Sequence, residues 1–166
     1  MTMKKSKLIY SIFISLFVFI IFVSCSHASA GQKHLVFSTC EGFEVDKCAS
    51  IWLIKRFIDK NAEIKFFPKG ETIKEGILFD TPEAKFRRYF NMSTFESLLL
   101  HYNIKNAKAV HIGKIIHDIE VNTWERKVMN ETISVKDTVN RIILEANDSK
   151  EIIERCNSYF DALYEE

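Results

Sequence analysis

Glycine and proline are scarce, 5 and 2 in 166 residues, which excludes a collagenous or low-complexity chain and fits one ordinary globular domain. No Gly-x-Ser-x-Gly, P-loop, Gly-rich dinucleotide loop or Cys-x-x-Cys occurs, so the common hydrolase, nucleotide-binding and zinc-ribbon chemistries have no sequence support. A basic excess is missing as well. Lys and Arg total 23 against 22 Asp and Glu, which argues against a dedicated nucleic-acid binder. Internal repeats and linkers are also lacking.

What is present is unevenly distributed. Lys4, Lys5 and Lys7 precede an apolar run from Leu8 to Val23, broken only by Ser11 and Ser15. The run is shorter than the roughly 20 residues of a comfortable membrane span and is followed by small residues, with Ala28-Ser29-Ala30 fitting a signal-peptidase site. The expectation is an export signal over residues 1–30 and a domain over residues 31–166. Two alternatives stay open: Phe22-Val23-Ser24-Cys25 as a lipobox with acylation of Cys25, and an uncleaved N-terminal anchor. All three place the domain outside the cytoplasm, periplasmic or membrane-anchored, with membrane contact only through the signal or a lipid on Cys25. Residues 31–166 then carry a net charge of −2, so no nucleic-acid partner is expected.

Three cysteines remain after such a cleavage, which is a poor disulfide scaffold. Cys40 and Cys48 flank a strand-to-helix loop, and a bridge between them is left open. Cys156 lies in an apolar helical stripe and reads as a core residue.

The hydrophobic pattern predicts an α+β fold: a small N-terminal sheet with a β-α-β-β opening, then a predominantly helical half. Strands are expected over His34–Ser38, Ala62–Phe67 and Gly76–Asp80, and a helix over Lys47–Asp59 with Asp46 as its N-cap and apolar residues around most of its circumference. Ser93 and Glu96 form a capping box for the next helix, Ala107–Val121 follows in helical register, Ser134 and Asp137 start a helix through Ala146, and Asp148 and Glu151 start the last one.

Three regions carry groups able to do chemistry. Asp46 and Lys47 stand at a helix N-terminus, where backbone N–H groups and a cation can hold an oxyanion, and Arg56 lies further along the same helix. A basic and aromatic run, Lys85 to Phe90, contains Arg87 and Arg88 and reads as an anion-contacting loop or plain surface. In Ile112–Lys127, His117, Asp118 and Glu120 are candidate ligands for a divalent metal ion, or an acid/base set, with Arg126 nearby as an anion contact; His117, Glu120 and Trp124 share a face if the helix persists. The ligand-binding candidates are thus Asp46, Lys47, Arg56, Arg88 and Arg126, and the metal candidates are His117, Asp118 and Glu120.

Several segments together resemble the C-terminal domain family of the chromate resistance protein ChrB. They are Asp46-Lys47-Cys48-Ala49, the stretch from Trp52 to Glu63, Ser93-Thr94-Phe95-Glu96, Ile116-His117-Asp118-Ile119-Glu120 and Phe160-Asp161-Ala162-Leu163-Tyr164. The likeness spans residues 34–164. It implies association with chromate resistance as a sensor or accessory factor, and no established catalytic activity. Where many relatives have a His and a Cys before the equivalent of Phe95, this chain has Arg88 and Ser93, so a metal or redox role resting on that pair is not expected here. The function expected is an exported domain that binds a small oxyanion or metal ion and is not an enzyme. The alternative is a metal-dependent hydrolase or reductase built on His117, Asp118 and Glu120.

Overall fold

A five-residue strand, β1 (Val36–Cys40), leads into helix α1 (Val45–Leu53), which runs on as a π-helical turn over Ile54–Ile58 before β2 (Glu63–Phe67). There follow β3 (Ile77–Leu78) and four helices, α2 (Thr94–His101), α3 (Ala107–Glu120), α4 (Thr132–Glu145) and α5 (Ser149–Glu165). This computed structural model describes residues 34–166, and the export-signal expectation for residues 1–30, with Cys25 and Ala30, lies outside the described residues. Among the described residues no helix is long and apolar enough to cross a membrane.

The sheet has the order β2-β1-β3 and is parallel throughout. Parallel neighbours need a crossover connection, and α1 supplies it between β1 and β2. Because β1 is central and covered, Phe37, Ser38 and Thr39 are all fully buried, and the strand shows no in-out alternation. β3 is only two residues long because Gly76 (φ +77°) and Asp80 (φ +50°) turn the chain on either side of it. Gly76 is obligatory, since a Cβ there would stand 2.5 Å from Ser38 Oγ and 2.9 Å from the Val36 carbonyl oxygen. The architecture is α+β, a small N-terminal sheet followed by a mostly helical half.

Every residue of α1 is buried, the polar Asp46, Lys47 and Ser50 among them. It is the central element, packed by α2, α3, α4 and α5. Helix α5 lies parallel to it in a fixed register: Trp52 packs on Phe160 with ring centroids 5.9 Å apart, and Arg56 reaches Asp161 and Glu165. Phe37, Phe79, Phe95 and Phe160 complete the core around Trp52.

The capping signals at Ser93 with Glu96 and at Asp148 are realised as expected. The start of α1 is not. Glu44 occupies the N-cap without a side-chain hydrogen bond, and Asp46 sits inside the first turn, its carboxylate turned toward α2. Cys40 is half-buried, Cys48 and Cys156 belong to the buried core, and all three are free thiols.

Candidate functional site

In a parallel sheet the carboxyl ends of all strands meet at one edge, and the N-terminus of the crossover helix opens toward the same edge. Here the segments leaving β1 (Glu41 to Glu44), β2 (Lys69-Gly70) and β3 (Asp80-Thr81-Pro82) surround a cleft of about 500 Å³, with Lys47, Arg87 and Arg88 completing its wall. Gly42 (φ +94°) makes the turn out of β1, and the Lys69 ammonium passes over it, 3.3 Å from where a Cβ would be.

The wall is built on buried ion pairing. Lys47 Nζ donates to the carbonyl oxygens of Cys40 (2.6 Å) and Gly42 (2.7 Å) and lies 3.5 Å from Asp80 Oδ2. It therefore fixes the loop shape instead of offering free protons to a ligand. Asp80 accepts from Thr94 Oγ1 at 3.0 Å; burial raises its pKa, against the opposing pull of Lys47. Asp46 accepts from the Thr94 N–H (2.7 Å) and the Phe95 N–H (2.8 Å), so it satisfies the first turn of α2 from a different helix. Burial, with Asp80 adding repulsion, pushes its carboxyl up to about 7.

Arg88 spans the mouth of the cleft. It donates to Glu120 Oε2 (2.7 Å) and to Glu44 Oε2 (3.0 Å), tying the end of α3 to the cap of α1. Glu120 is the sheltered partner, its side chain 12% exposed against 60% for Glu44. Burial raises the Glu120 pKa, with Arg88 opposing. Arg87 donates to the Pro82 carbonyl oxygen (2.5 Å), and its guanidinium stands 5.0 Å from the Tyr89 ring. Neither Arg87 nor Lys69 forms an ion pair among the described residues. Thr81, 4% exposed, is one of the cleft residues, and its buried hydroxyl has no hydrogen-bond partner among the described residues.

The structure thus brings four of the sequence candidates, Asp46, Lys47, Arg88 and Glu120, to the first turn of α1. Arg56 lies at the other end of that helix, paired with Asp161 and Glu165 and stacked 4.2 Å from the Tyr164 ring. Arg126 is exposed in the segment after α3, where its carbonyl oxygen accepts from Asn122.

His117, Asp118 and Glu120 share a helix but turn to different neighbours. His117 Nδ1 lies 2.9 Å from Glu96 Oε2, at the wall of a second cleft of about 600 Å³ that also contains Lys114 and Glu125. Asp118 is 3% exposed and spends its oxygens on Asn122, Val128 N–H, Met129 N–H and Thr132 Oγ1. Among the described residues no group of three or more His, Cys, Asp or Glu could hold a metal ion. Trp124 is 97% exposed, because α3 ends at Glu120 and the helical face does not continue to it.

Sequence reasoning missed Thr81, Lys69 and Glu44 as cleft residues. The available signal was position: each follows a strand end or precedes a helix, where parallel-sheet ligands gather. Of the two departures from the ChrB pattern, Arg88 is the cleft's bridging cation and Ser93 caps α2. Neither a curated protein nor a solved structure matches the chain significantly. A family profile described as "ChrB, C-terminal domain" matches residues 37–166, almost the whole described region, and the chain therefore belongs to the ChrB C-terminal domain family.

Proposed function

We propose that this domain binds a small tetrahedral oxyanion of the chromate and sulfate class in the cleft at the carboxyl ends of the strands, outside the cytoplasm, as a non-enzymatic component of chromate resistance or sensing. Family membership ties the chain to a chromate-resistance-related function. The observation that supports the ligand is the buried, unpartnered hydroxyl of Thr81 in the wall of a cleft whose rim holds two cations, Arg87 and Lys69, without carboxylate partners among the described residues. A buried hydroxyl left unsatisfied is costly, and an oxyanion supplies the acceptor it lacks. The net charge of −2 over residues 31–166 gives no general attraction for anions, so a local cluster has to do the holding.

Arg88 joins at small cost. Its pair with the exposed Glu44 contributes about 0–1 kcal/mol, so an anion can replace that carboxylate while Glu120 keeps the guanidinium in place. Calorimetric titration of residues 31–166 with chromate and with sulfate is the test. Arg87→Ala is expected to weaken binding by about tenfold to a hundredfold and Glu44→Gln to strengthen it several-fold. Absence of heat and of thermal shift with both anions sinks the proposal. Mass spectrometry of the cell-purified protein tests export: a start at Gly31 or an acylated Cys25 agrees with it, and an intact Met1 on a cytoplasmic protein does not.

A second reading rests on His117, whose ring is oriented by the Glu96 carboxylate as a general base or single metal ligand would be. Stoichiometric zinc in the purified protein, lost in His117→Ala, would favour that reading over the first.

A further inference from the structure

The two buried cysteines lie opposite each other across the central helix pair. From the parallel register of α1 and α5, Trp52 on Phe160 and Arg56 on Tyr164, one turn back along both helices brings Cys48 opposite Cys156. The two thiols are near enough to interact, belong to the same buried core cluster and are 2% and 1% exposed. Cys40, on the sheet edge, lies on the far side of the Lys47 loop and lines the cleft. Nothing in the anion-binding reading uses the Cys48 and Cys156 pair.

We infer that Cys48 and Cys156 form a redox modification site, closing to an intramolecular disulfide under a small-molecule disulfide oxidant and tying the C-terminal helix to the centre of the core. The chemistry is thiol–disulfide exchange. One cysteine thiolate attacks the oxidant's disulfide, forming a mixed disulfide and releasing one small thiol. The second thiolate attacks the protein sulfur of that mixed disulfide and expels the second small thiol. The pair loses two electrons and two protons, and the oxidant gains both.

Burial imposes a condition: the oxidant reaches the sulfurs only when α5 lifts from α1, so oxidation of the native protein is gated by local opening and accelerates in mild urea. Once closed, the link spans residues 48 to 156, a long loop, and restricts the unfolded chain strongly.

The experiment oxidises residues 31–166 with oxidised glutathione in mild urea, then counts free thiols and maps the linked peptides by mass spectrometry, in the wild type and in Cys40→Ala. The expected result is a fall from three free thiols to one in the wild type and from two to none in Cys40→Ala, a Cys48–Cys156 peptide, and a melting temperature that rises on the order of 10 °C and returns on reduction. Thiols that all stay free, a bridge containing Cys40, or a linked pair with no thermal effect would each overturn the inference. The Cys40→Ala protein keeps the test decisive if the core variants Cys48→Ser or Cys156→Ser fail to fold.

Discussion

Trp52→Ala is expected to destabilise the domain by about 4 kcal/mol, a large fraction of the roughly 5–15 kcal/mol that holds a domain of this size together. The indole is 1% exposed and touches four other rings: Phe57 (5.8 Å), Phe95 (6.3 Å, nearly parallel), Phe160 (5.9 Å) and Tyr164 (5.8 Å). It joins the π-helical turn, α2 and α5 to α1, so the cavity cannot close by the shift of one neighbour. Its Nε1 also donates to Asp161 Oδ1 at 2.8 Å, the same oxygen that receives Arg56. Trp52→Phe keeps most of the packing and leaves Asp161 with Arg56, and a loss of about 1–2 kcal/mol is expected. Urea unfolding followed by circular dichroism separates the two variants. A loss under about 1 kcal/mol for Trp52→Ala would mean that the α1–α5 packing is not the centre of the core.

The same residue shows where sequence was informative. The stretch around Trp52 is apolar around most of its circumference, and a helix with that pattern has to be packed on more than one side, as α1 is by four helices. The capping signals of α2 and α5 were equally readable, because Ser93 with Glu96 and Asp148 with Glu151 act over three residues of local chain, whereas α4 starts at Thr132, ahead of Ser134 and Asp137 and without a side-chain cap. Asp46 was not readable. It is a good capping residue next to a helix start, yet its oxygens are taken by the N–H groups of Thr94 and Phe95, 48 and 49 residues away, and only the tertiary fold brings that second helix end to it. His117, Asp118 and Glu120 turn to different neighbours for the same reason. Helical spacing says which side chains leave one face, but Glu96, the loop after α3 and Arg88 decide where each of them goes. Of the site, the helix N-terminus with its acid, its lysine and the distant arginine was legible. The cleft opposite them was not, since it is made by three strand ends that are adjacent only in space.

Asp118→Asn is expected to cost about 2–4 kcal/mol at neutral pH, the second large loss. Its carboxylate Oδ2 takes three donors, Val128 N–H at 2.8 Å, Met129 N–H at 3.0 Å and Thr132 Oγ1 at 2.5 Å, while Oδ1 takes Asn122 at 2.7 Å. An amide puts a second set of N–H groups into a site that already supplies only donors. Burial alone would raise this carboxyl, but the four hydrogen bonds outweigh it and lower the pKa from 3.8 to about 2. The folded state therefore favours the ionised form. This contribution is fully present above about pH 4 and is lost as the pH falls toward about 2. Asp46 has the opposite sign: its carboxyl is raised from 3.8 to about 7, so the folded state favours the protonated form, and that contribution is full below about pH 4 and lost as the pH rises through about 7. Urea unfolding of the wild type and both Asn variants, run from about pH 3 to about pH 9, reads the two directions separately. The gap between wild type and Asp118→Asn should narrow on the acid side and stay constant above about pH 5, whereas the gap for Asp46→Asn should narrow between about pH 4 and about pH 7 and stay constant above that. A gap for Asp118→Asn that does not change with acid would mean that the carboxylate charge is not what holds the α3–α4 connection. The cleft proposed to hold an oxyanion then inherits a condition from Asp46: a negative charge forms at this residue, beside Asp80, as the pH passes about 7, so oxyanion binding should weaken there.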